Sequence, residues 1–351
     1  MRPLIELTEK ELEALAAEYS QPPFRAKQLG GYILKGTEIS DMTSLPKAFR
    51  EALENAGAVT LSVRVEKTFD SAADGTRKYL FALGDGNIVE GVLMRYSYGN
   101  TLCVSTQVGC AMGCRFCAST LEGKIRDLTA SEMLSMVAAA DRDNVRDGKR
   151  GVTNVVLMGS GEPLDNYAQV VAFLRRLCSD KGLGISRRNV SLSTCGLCEK
   201  IRALAGEDCA PVLTVSLHAP DDDIRRTIMP IANRYTVKEV VDAAEYYFKK
   251  TSRRVIFEYS LIRGVNDTKD CARKLSALLR GFPCHVNLIR LNRVPERGLE
   301  GSDAHTVKAF SDELTRLGTS NTVRRTLGSD IDGACGQLRR RYLSDGGSCR
   351  D

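Results

Sequence analysis

Residues 101–117 read Thr101-Leu102-Cys103-Val104-Ser105-Thr106-Gln107-Val108-Gly109-Cys110-Ala111-Met112-Gly113-Cys114-Arg115-Phe116-Cys117. The opening stretch, 101–107, mixes β-branched and apolar residues in the short run expected of a buried strand. Directly after it comes a loop with Cys-x3-Cys-x2-Cys spacing. A strand that carries reactive groups just past its C-terminal end is how parallel α/β sheets present their chemistry. Downstream the same rhythm repeats. Strands are expected at 152–158, 189–194, 212–217, 254–261 and 285–291, and helices at 130–142, 167–179, 237–250, 269–280 and 305–317, with a further short run at 321–326. Six β/α units in series imply a parallel sheet with right-handed crossovers, either doubly wound or curled into a partial barrel. In both cases the site belongs at the C-terminal ends of the strands.

Upstream the pattern differs. Apolar residues recur at helical spacing within 9–19, 24–34 and 46–56, whereas 61–98 carries short alternating runs broken by Asp74-Gly75 and Asp85-Gly86-Asn87, which is hairpin chemistry. The chain therefore divides into a helical accessory domain (1–60), a β extension (61–98), the main α/β domain (99–343) and a Gly-, Ser- and charge-rich tail (344–351) that is expected to be frayed.

With 351 residues and 43% hydrophobic content, the chain can bury one large core plus a small accessory unit. Its apolar runs are too short to span a bilayer and no leader pattern opens it, so a cytoplasmic protein without membrane contact is expected. A net charge of +6 suits a polyanionic partner without requiring one. Twelve cysteines in a large chain of this kind argue for metal binding, redox chemistry or plain burial over a disulfide scaffold.

Cys110, Cys114 and Cys117 are close enough in sequence to ligate three irons of a [4Fe–4S] cube and leave the fourth iron open to a substrate. A structural zinc is the competing reading, but it usually takes four protein ligands in paired spacing, and no fourth stands nearby in sequence. Gly109 and Gly113 permit the tight backbone of such a loop, and Phe116 can shield a cluster from water.

This triplet, with an aromatic before its third cysteine, resembles the signature of the radical S-adenosylmethionine (SAM) superfamily. In that superfamily SAM chelates the open iron, and one electron from the cluster cleaves it to a 5′-deoxyadenosyl radical. Further segments are similar to one subfamily, the RNA adenine-C2 methyltransferases of the RlmN type. They are Phe24-Arg25-Ala26-Lys27-Gln28, the run from Thr101 into the cysteine loop, Met158-Gly159-Ser160-Gly161-Glu162-Pro163-Leu164, Ser216-Leu217-His218-Ala219-Pro220, and Asp330-Ile331-Asp332-Gly333-Ala334-Cys335-Gly336-Gln337-Leu338.

The resemblance implies a partial (β/α)6 radical SAM barrel with one [4Fe–4S] cluster on Cys110, Cys114 and Cys117. It implies SAM contacts from Gly161, Glu162, Ser193, Ser216, Leu217, His218 and Asn292, and two SAM molecules per turnover, one as methyl donor and one as radical source. Cys335 would carry the methyl group, Cys103 would release the product through a transient disulfide, and Glu90 would accept a proton. From its residues alone, Glu90 reads as part of a solvated strand face. The implied substrates are adenosine 2503 of 23S rRNA, before ribosome assembly is complete, and in some members adenosine 37 of tRNAs. A flavodoxin or ferredoxin would supply electrons to a monomeric enzyme. A C8-methylating antibiotic-resistance relative shares the cluster, Cys103 and Cys335 and stays open as an alternative, although Pro163 and the N-terminal helices look more like the C2 enzyme. Cys195 stands where this segment commonly has serine, and with Cys198 it reads as ordinary packing. Arg25, Lys27, Arg187, Arg188, Arg324, Arg325 and Arg339 to Arg341 are the candidate phosphate contacts.

Overall fold

The structure is a computed structural model and describes residues 2–325 and 327–331. The chain opens with α1 (Glu9–Glu18), α2 (Phe24–Leu34) and α3 (Lys47–Asn55). Thr8 and Glu11 close a reciprocal capping box at the start of α1, satisfying amides the helix would otherwise leave bare. Leu12, Leu15 and Ala16 of α1 and Leu29 and Ile33 of α2 are all buried, as helical spacing predicts for two packed helices.

Three antiparallel strands follow, β1 (Val63–Asp70), β2 (Arg77–Leu83) and β3 (Ile88–Tyr96). Next comes β4 (Gly99–Val104), antiparallel to β3. The expected strand over 101–107 breaks after Val104, because the amides of Thr106 and Gln107 both donate to Ser160 O, at 2.8 and 3.1 Å, and leave the ladder. Gln107 then begins a separate hairpin of β5 (Gln107–Gly109) and β6 (Lys124–Asp127), whose loop holds the three cysteines.

From there helices and strands alternate: α4 (Ala130–Asn144), β7 (Asn154–Leu157), α5 (Tyr167–Cys178), β8 (Val190–Thr194), α6 (Cys198–Leu204), β9 (Val212–Ser216), α7 (Asp222–Ile228), α8 (Val237–Thr251), β10 (Val255–Leu261), α9 (Lys269–Leu278), β11 (Cys284–Arg290), α10 (Ala304–Arg316) and β12 (Asn321–Val323). All ten long-sheet strands lie in the order β1-β2-β3-β4-β7-β8-β9-β10-β11-β12. From β4 onward every pairing is parallel, and β12 adds a seventh parallel strand to the six expected. Among the described residues the sheet runs from β1 at one end to β12 at the other, an α/β fold with a predominantly parallel sheet.

Strand alternation decides what each face does. Val155, Leu157, Leu192, Leu213, Val215, Phe257, Tyr259 and Leu288 are essentially fully buried, beneath Phe173 and Leu174 of α5, Ala244 and Tyr247 of α8, Leu275 of α9 and Phe310 of α10. Each such aliphatic contributes about 1.5–3 kcal/mol relative to exposure. The opposite face carries Ser191, Ser193, Thr214, Ser216, Glu258, Ser260 and Asn287. An interior lined by hydroxyls and charges is built for a ligand.

Candidate active site

Cys110 follows β5 directly, and its amide donates to Gly123 O across the hairpin at 3.0 Å. Gly109 makes that approach possible. Its φ is +76°, and a Cβ there would sit 1.9 Å from Gly123 O. Within the loop, the Cys117 amide donates to Cys114 O at 3.1 Å, and the Thr120 hydroxyl caps Cys114 O and Cys117 O at 3.0 and 2.9 Å. The Arg115 amide donates to Ile228 O at 2.9 Å, which seats the loop on the end of α7. Cys110 and Cys114 are buried and Cys117 half-buried. Burial pushes the Cys110 thiol up to about 12 and raises those of Cys114 and Cys117 as well. Three such thiols become thiolates only beside a strong positive charge, and a bound metal centre supplies one.

All three cysteines face a cavity of about 300 Å³ at the C-terminal ends of the parallel strands. Three cysteine thiols on one loop suit a cube whose corners hold separate irons and leave one iron open, whereas a structural zinc usually takes four protein ligands. The donor set therefore fits a [4Fe–4S] cluster.

Gly161, Glu162, Ser193, Ser216, His218 and Asn292 line the same cavity. Gly161 has φ +107°, and a Cβ there would lie 2.6 Å from Gln107 Cβ, so the loop after β7 can lie flat on β5 only with glycine. The carboxylate of Glu162 accepts from the amides of Leu164 and Cys195 at 3.0 and 2.7 Å, while its own amide donates to Gln107 Oε1 at 2.8 Å. Burial raises its pKa despite those bonds. Ser193 and Ser216 face each other across β8 and β9 with hydroxyls 3.5 Å apart. His218 adopts φ +56°, and its Nδ1 accepts from the Ser260 amide at 2.9 Å. Burial, then the charge of Arg225, lowers its pKa to about 3, which keeps the ring neutral with the proton on Nε2. The ring meets Phe116 edge-to-face with centroids 4.8 Å apart. Leu217 sits differently: its side chain is fully buried in the core, and its amide and carbonyl are bonded to Glu258 O and Arg225 Nε.

Deeper in the interior, Cys103 on β4 pairs with Val92 on β3, and Glu90, two positions along β3, shares that face. Glu90 is buried, not solvated, and meets Lys78 of β2 at 3.1 Å. Lys78 went unrecognised in the sequence, as did Glu258. Arg324, a candidate phosphate contact, lines the cavity and pairs with Glu258 at 3.2 Å. The negative charge of Glu258 raises its pKa. Cys195, read as packing, lines the cavity too. Cys335 and Arg339 to Arg341 lie outside the described residues. The last described segment is tied to the β1–β2 turn: Asp330 accepts from Ser71 Oγ and the Ala72 amide at 2.7 and 3.0 Å, and the Gly328 amide donates to Asp74 at 2.8 Å. No helix among the described residues is long and apolar enough to cross a membrane.

Residues 104–274 match the family profile of the radical SAM superfamily. The whole chain is similar to curated relatives carrying the name "Probable dual-specificity RNA methyltransferase RlmN". The one from Clostridium perfringens (strain 13 / Type A) is 47% identical over 349 residues, spanning 99% of each chain. The one from Clostridium botulinum (strain Alaska E43 / Type E3) is 46% identical over 344 residues, spanning 98% of each. Among solved structures, a radical SAM methyltransferase from Sphaerobacter thermophilus superposes with a TM-score of 0.89 at 40% identity, covering 95% of this chain and 98% of that one.

Proposed function

Since the chain belongs to the RlmN-type dual-specificity RNA methyltransferases of the radical SAM superfamily, we propose that it methylates C2 of adenosine 2503 in 23S rRNA and of adenosine 37 in tRNAs. The observation that carries this reading is the convergence of Cys110, Cys114 and Cys117 with Glu162, Ser193, Ser216 and His218 on one cavity, beside an interior that holds Glu90 and Cys103.

Cluster and SAM, when bound, supply a methyl group and a 5′-deoxyadenosyl radical, a route that avoids the lack of nucleophilic character at adenine C2. Cys110, Cys114 and Cys117 hold the cluster. Glu162 and the Ser193–Ser216 pair offer acceptors and hydroxyls to the polar ends of SAM, and neutral His218 offers an Nε2–H donor. Cys335 bears the methyl group that is passed to C2. Glu90 accepts the proton that C2 gives up, with Lys78 beside it to steady the charge. The Cys103 thiol then forms a disulfide with Cys335 and frees the methylated base from its thioether. Each target adenine has to leave its stack to reach such an interior, which costs a few kcal/mol and favours loop substrates.

The test uses anaerobically reconstituted protein. The expected results are four irons per chain, a methyl group on Cys335 after incubation with SAM, and 2-methyladenosine in the RNA. Cys103→Ala is expected to accumulate RNA covalently joined to the enzyme. RNA methylated while Cys335 stays unmodified, or a product methylated at C8, would overturn the reading.

A further inference from the structure

Arg225, on α7, is the largest fully buried side chain among the described residues, at 0% exposure. Nε donates to Leu217 O at 3.1 Å, and one terminal nitrogen donates to Cys195 O at 2.6 Å and Ser216 O at 3.3 Å. The other terminal nitrogen, NH1, is buried with no hydrogen-bond partner. No carboxylate among the described residues forms an ion pair with the guanidinium. The nearest along the hydrogen-bond chain is Glu162, separated from it by Cys195, and both of its oxygens already accept from backbone amides. Guanidinium does not shed its proton in proteins. A fixed charge of this kind, three carbonyl dipoles and no anion, is costly to bury unless something negative joins it in the working molecule.

Its position says what that anion is. The three carbonyls that fix it belong to the C-terminal ends of β8 and β9 and the residues just beyond, the rim from which Ser193, Cys195, Ser216 and His218 face the cavity. The helix that carries it also carries Ile228, whose carbonyl receives the Arg115 amide. One short helix thus supports both the rim and the cysteine loop. The positive charge is felt at Cys195 and His218, each of whose pKa values it lowers. Cys195 and His218 are themselves uncharged, because burial holds the Cys195 thiol far above its ordinary range and His218 in its neutral form. A cubane core of charge 2+ on three thiolates is monoanionic, and it becomes dianionic when it takes up an electron.

We infer that Arg225 is a positioning residue that acts through its charge: its buried guanidinium is the counter-charge of the cluster on Cys110, Cys114 and Cys117 and favours the one-electron reduction that starts each turnover. An external one-electron donor is oxidised, the cluster is reduced, and no proton moves. The inference rests on the proposed cluster. It adds the prediction that charge at position 225, separately from the hydrogen-bond fork, sets how readily that cluster accepts its electron.

Wild type, Arg225→Lys and Arg225→Met are reconstituted anaerobically, iron per chain is measured, and the midpoint potential is taken by spectroscopically monitored redox titration without SAM or RNA. Arg225→Met is expected to load iron but to be reduced about tenfold less favourably, about 59 mV more negative for one electron. Arg225→Lys keeps the charge and loses the fork, and is expected to stay within about threefold of wild type. If Arg225→Met does not fold, a normal potential in Arg225→Lys still supports the inference. An unchanged potential in Arg225→Met, a shift in Arg225→Lys as large as the Met variant's or beyond threefold, or failure of both variants to load iron while wild type does, overturns it. A wild-type protein that assembles no cuboidal cluster removes the proposed function itself, an outcome distinct from a loaded cluster indifferent to residue 225.

Discussion

At the scale of single residues, the site depends on backbone positions that few side chains tolerate. Gly161→Ala would place a Cβ 2.6 Å from Gln107 Cβ and 2.8 Å from its amide nitrogen at a φ of +107°. Neither partner is a flexible chain end, so the loop after β7 must lift from β5 and take Glu162 with it. We expect a loss of about 1–3 kcal/mol from backbone strain alone, read by urea unfolding, together with weakened SAM binding measured by calorimetry. Unchanged values in both would mean that the loop is not held as described. His218 gives a pH dependence with a definite sign. Its folded pKa of about 3 lies below the ordinary 6.5, so the folded ring stays neutral while the unfolded chain binds a proton as pH falls through 6.5. Stability from this residue is complete above about pH 6.5 and declines toward pH 3 by at most about 1.4 kcal/mol per pH unit. Between pH 7 and pH 5, wild type should therefore lose about 2 kcal/mol more than His218→Asn in urea titrations. Parallel pH slopes in the two proteins would show that the ring is not buried neutral.

At the scale of elements, β2 and β3 carry a buried ion pair whose two halves can be separated by experiment. Lys78→Met alone takes from the buried Glu90 carboxylate its lysine, and breaking one half of a buried pair costs about 3–5 kcal/mol. Replacing both, Lys78→Met with Glu90→Leu, substitutes apolar volume for the pair and should nearly restore the thermal midpoint. If Glu90 accepts the C2 proton, the double variant still methylates Cys335 but transfers methyl to RNA about 10²–10⁴-fold more slowly. Normal transfer by the double variant would leave Glu90 a purely structural residue. The same strands show what the sequence makes legible. An expected strand over 212–217 forms as Val212–Ser216, and one over 254–261 as Val255–Leu261, because alternating apolar residues fix both extent and face. The helices α6 and α7 escaped notice, since two turns give too short a window for a helical period to emerge. Charged residues were harder still. Glu258 and Arg324 occupy the polar phase of their segments, which looks identical whether it meets bulk water or a closed interior, and Lys78 is a lone charge in phase with Leu80 and Ala82. Arg225 lies in Asp221-Asp222-Asp223-Ile224-Arg225-Arg226, which reads as a solvated run until the fold turns it inward. The cysteine triplet was legible for the opposite reason: its spacing is local, so no tertiary information is needed to see it.

At the scale of the whole molecule, β1 and β12 stand at opposite ends of the strand order, and the chain leaving β12 is fastened to the turn between β1 and β2. Asp330 and Gly328 make this clasp with Ser71, Ala72 and Asp74, residues more than 250 positions earlier. The polar bonds are at most partly buried and few, so they guide a segment without adding much to global stability. Cys335 lies five residues beyond Asp330, and in the proposed mechanism its thiol first collects a methyl group and then delivers it, so its approach has to be defined. A tether placed just upstream would define that approach. Loosening it with Asp330→Asn, which weakens its two bonds to the turn, is expected to slow methylation of Cys335 several-fold in single-turnover assays followed by intact-protein mass spectrometry. Iron content and thermal midpoint should stay at their wild-type values, because neither the cysteine loop nor the sheet core touches the clasp. Full-rate Cys335 methylation in Asp330→Asn would show that the clasp does not guide this sulfur, and the delivery path would then have to be set by residues 332–335 themselves.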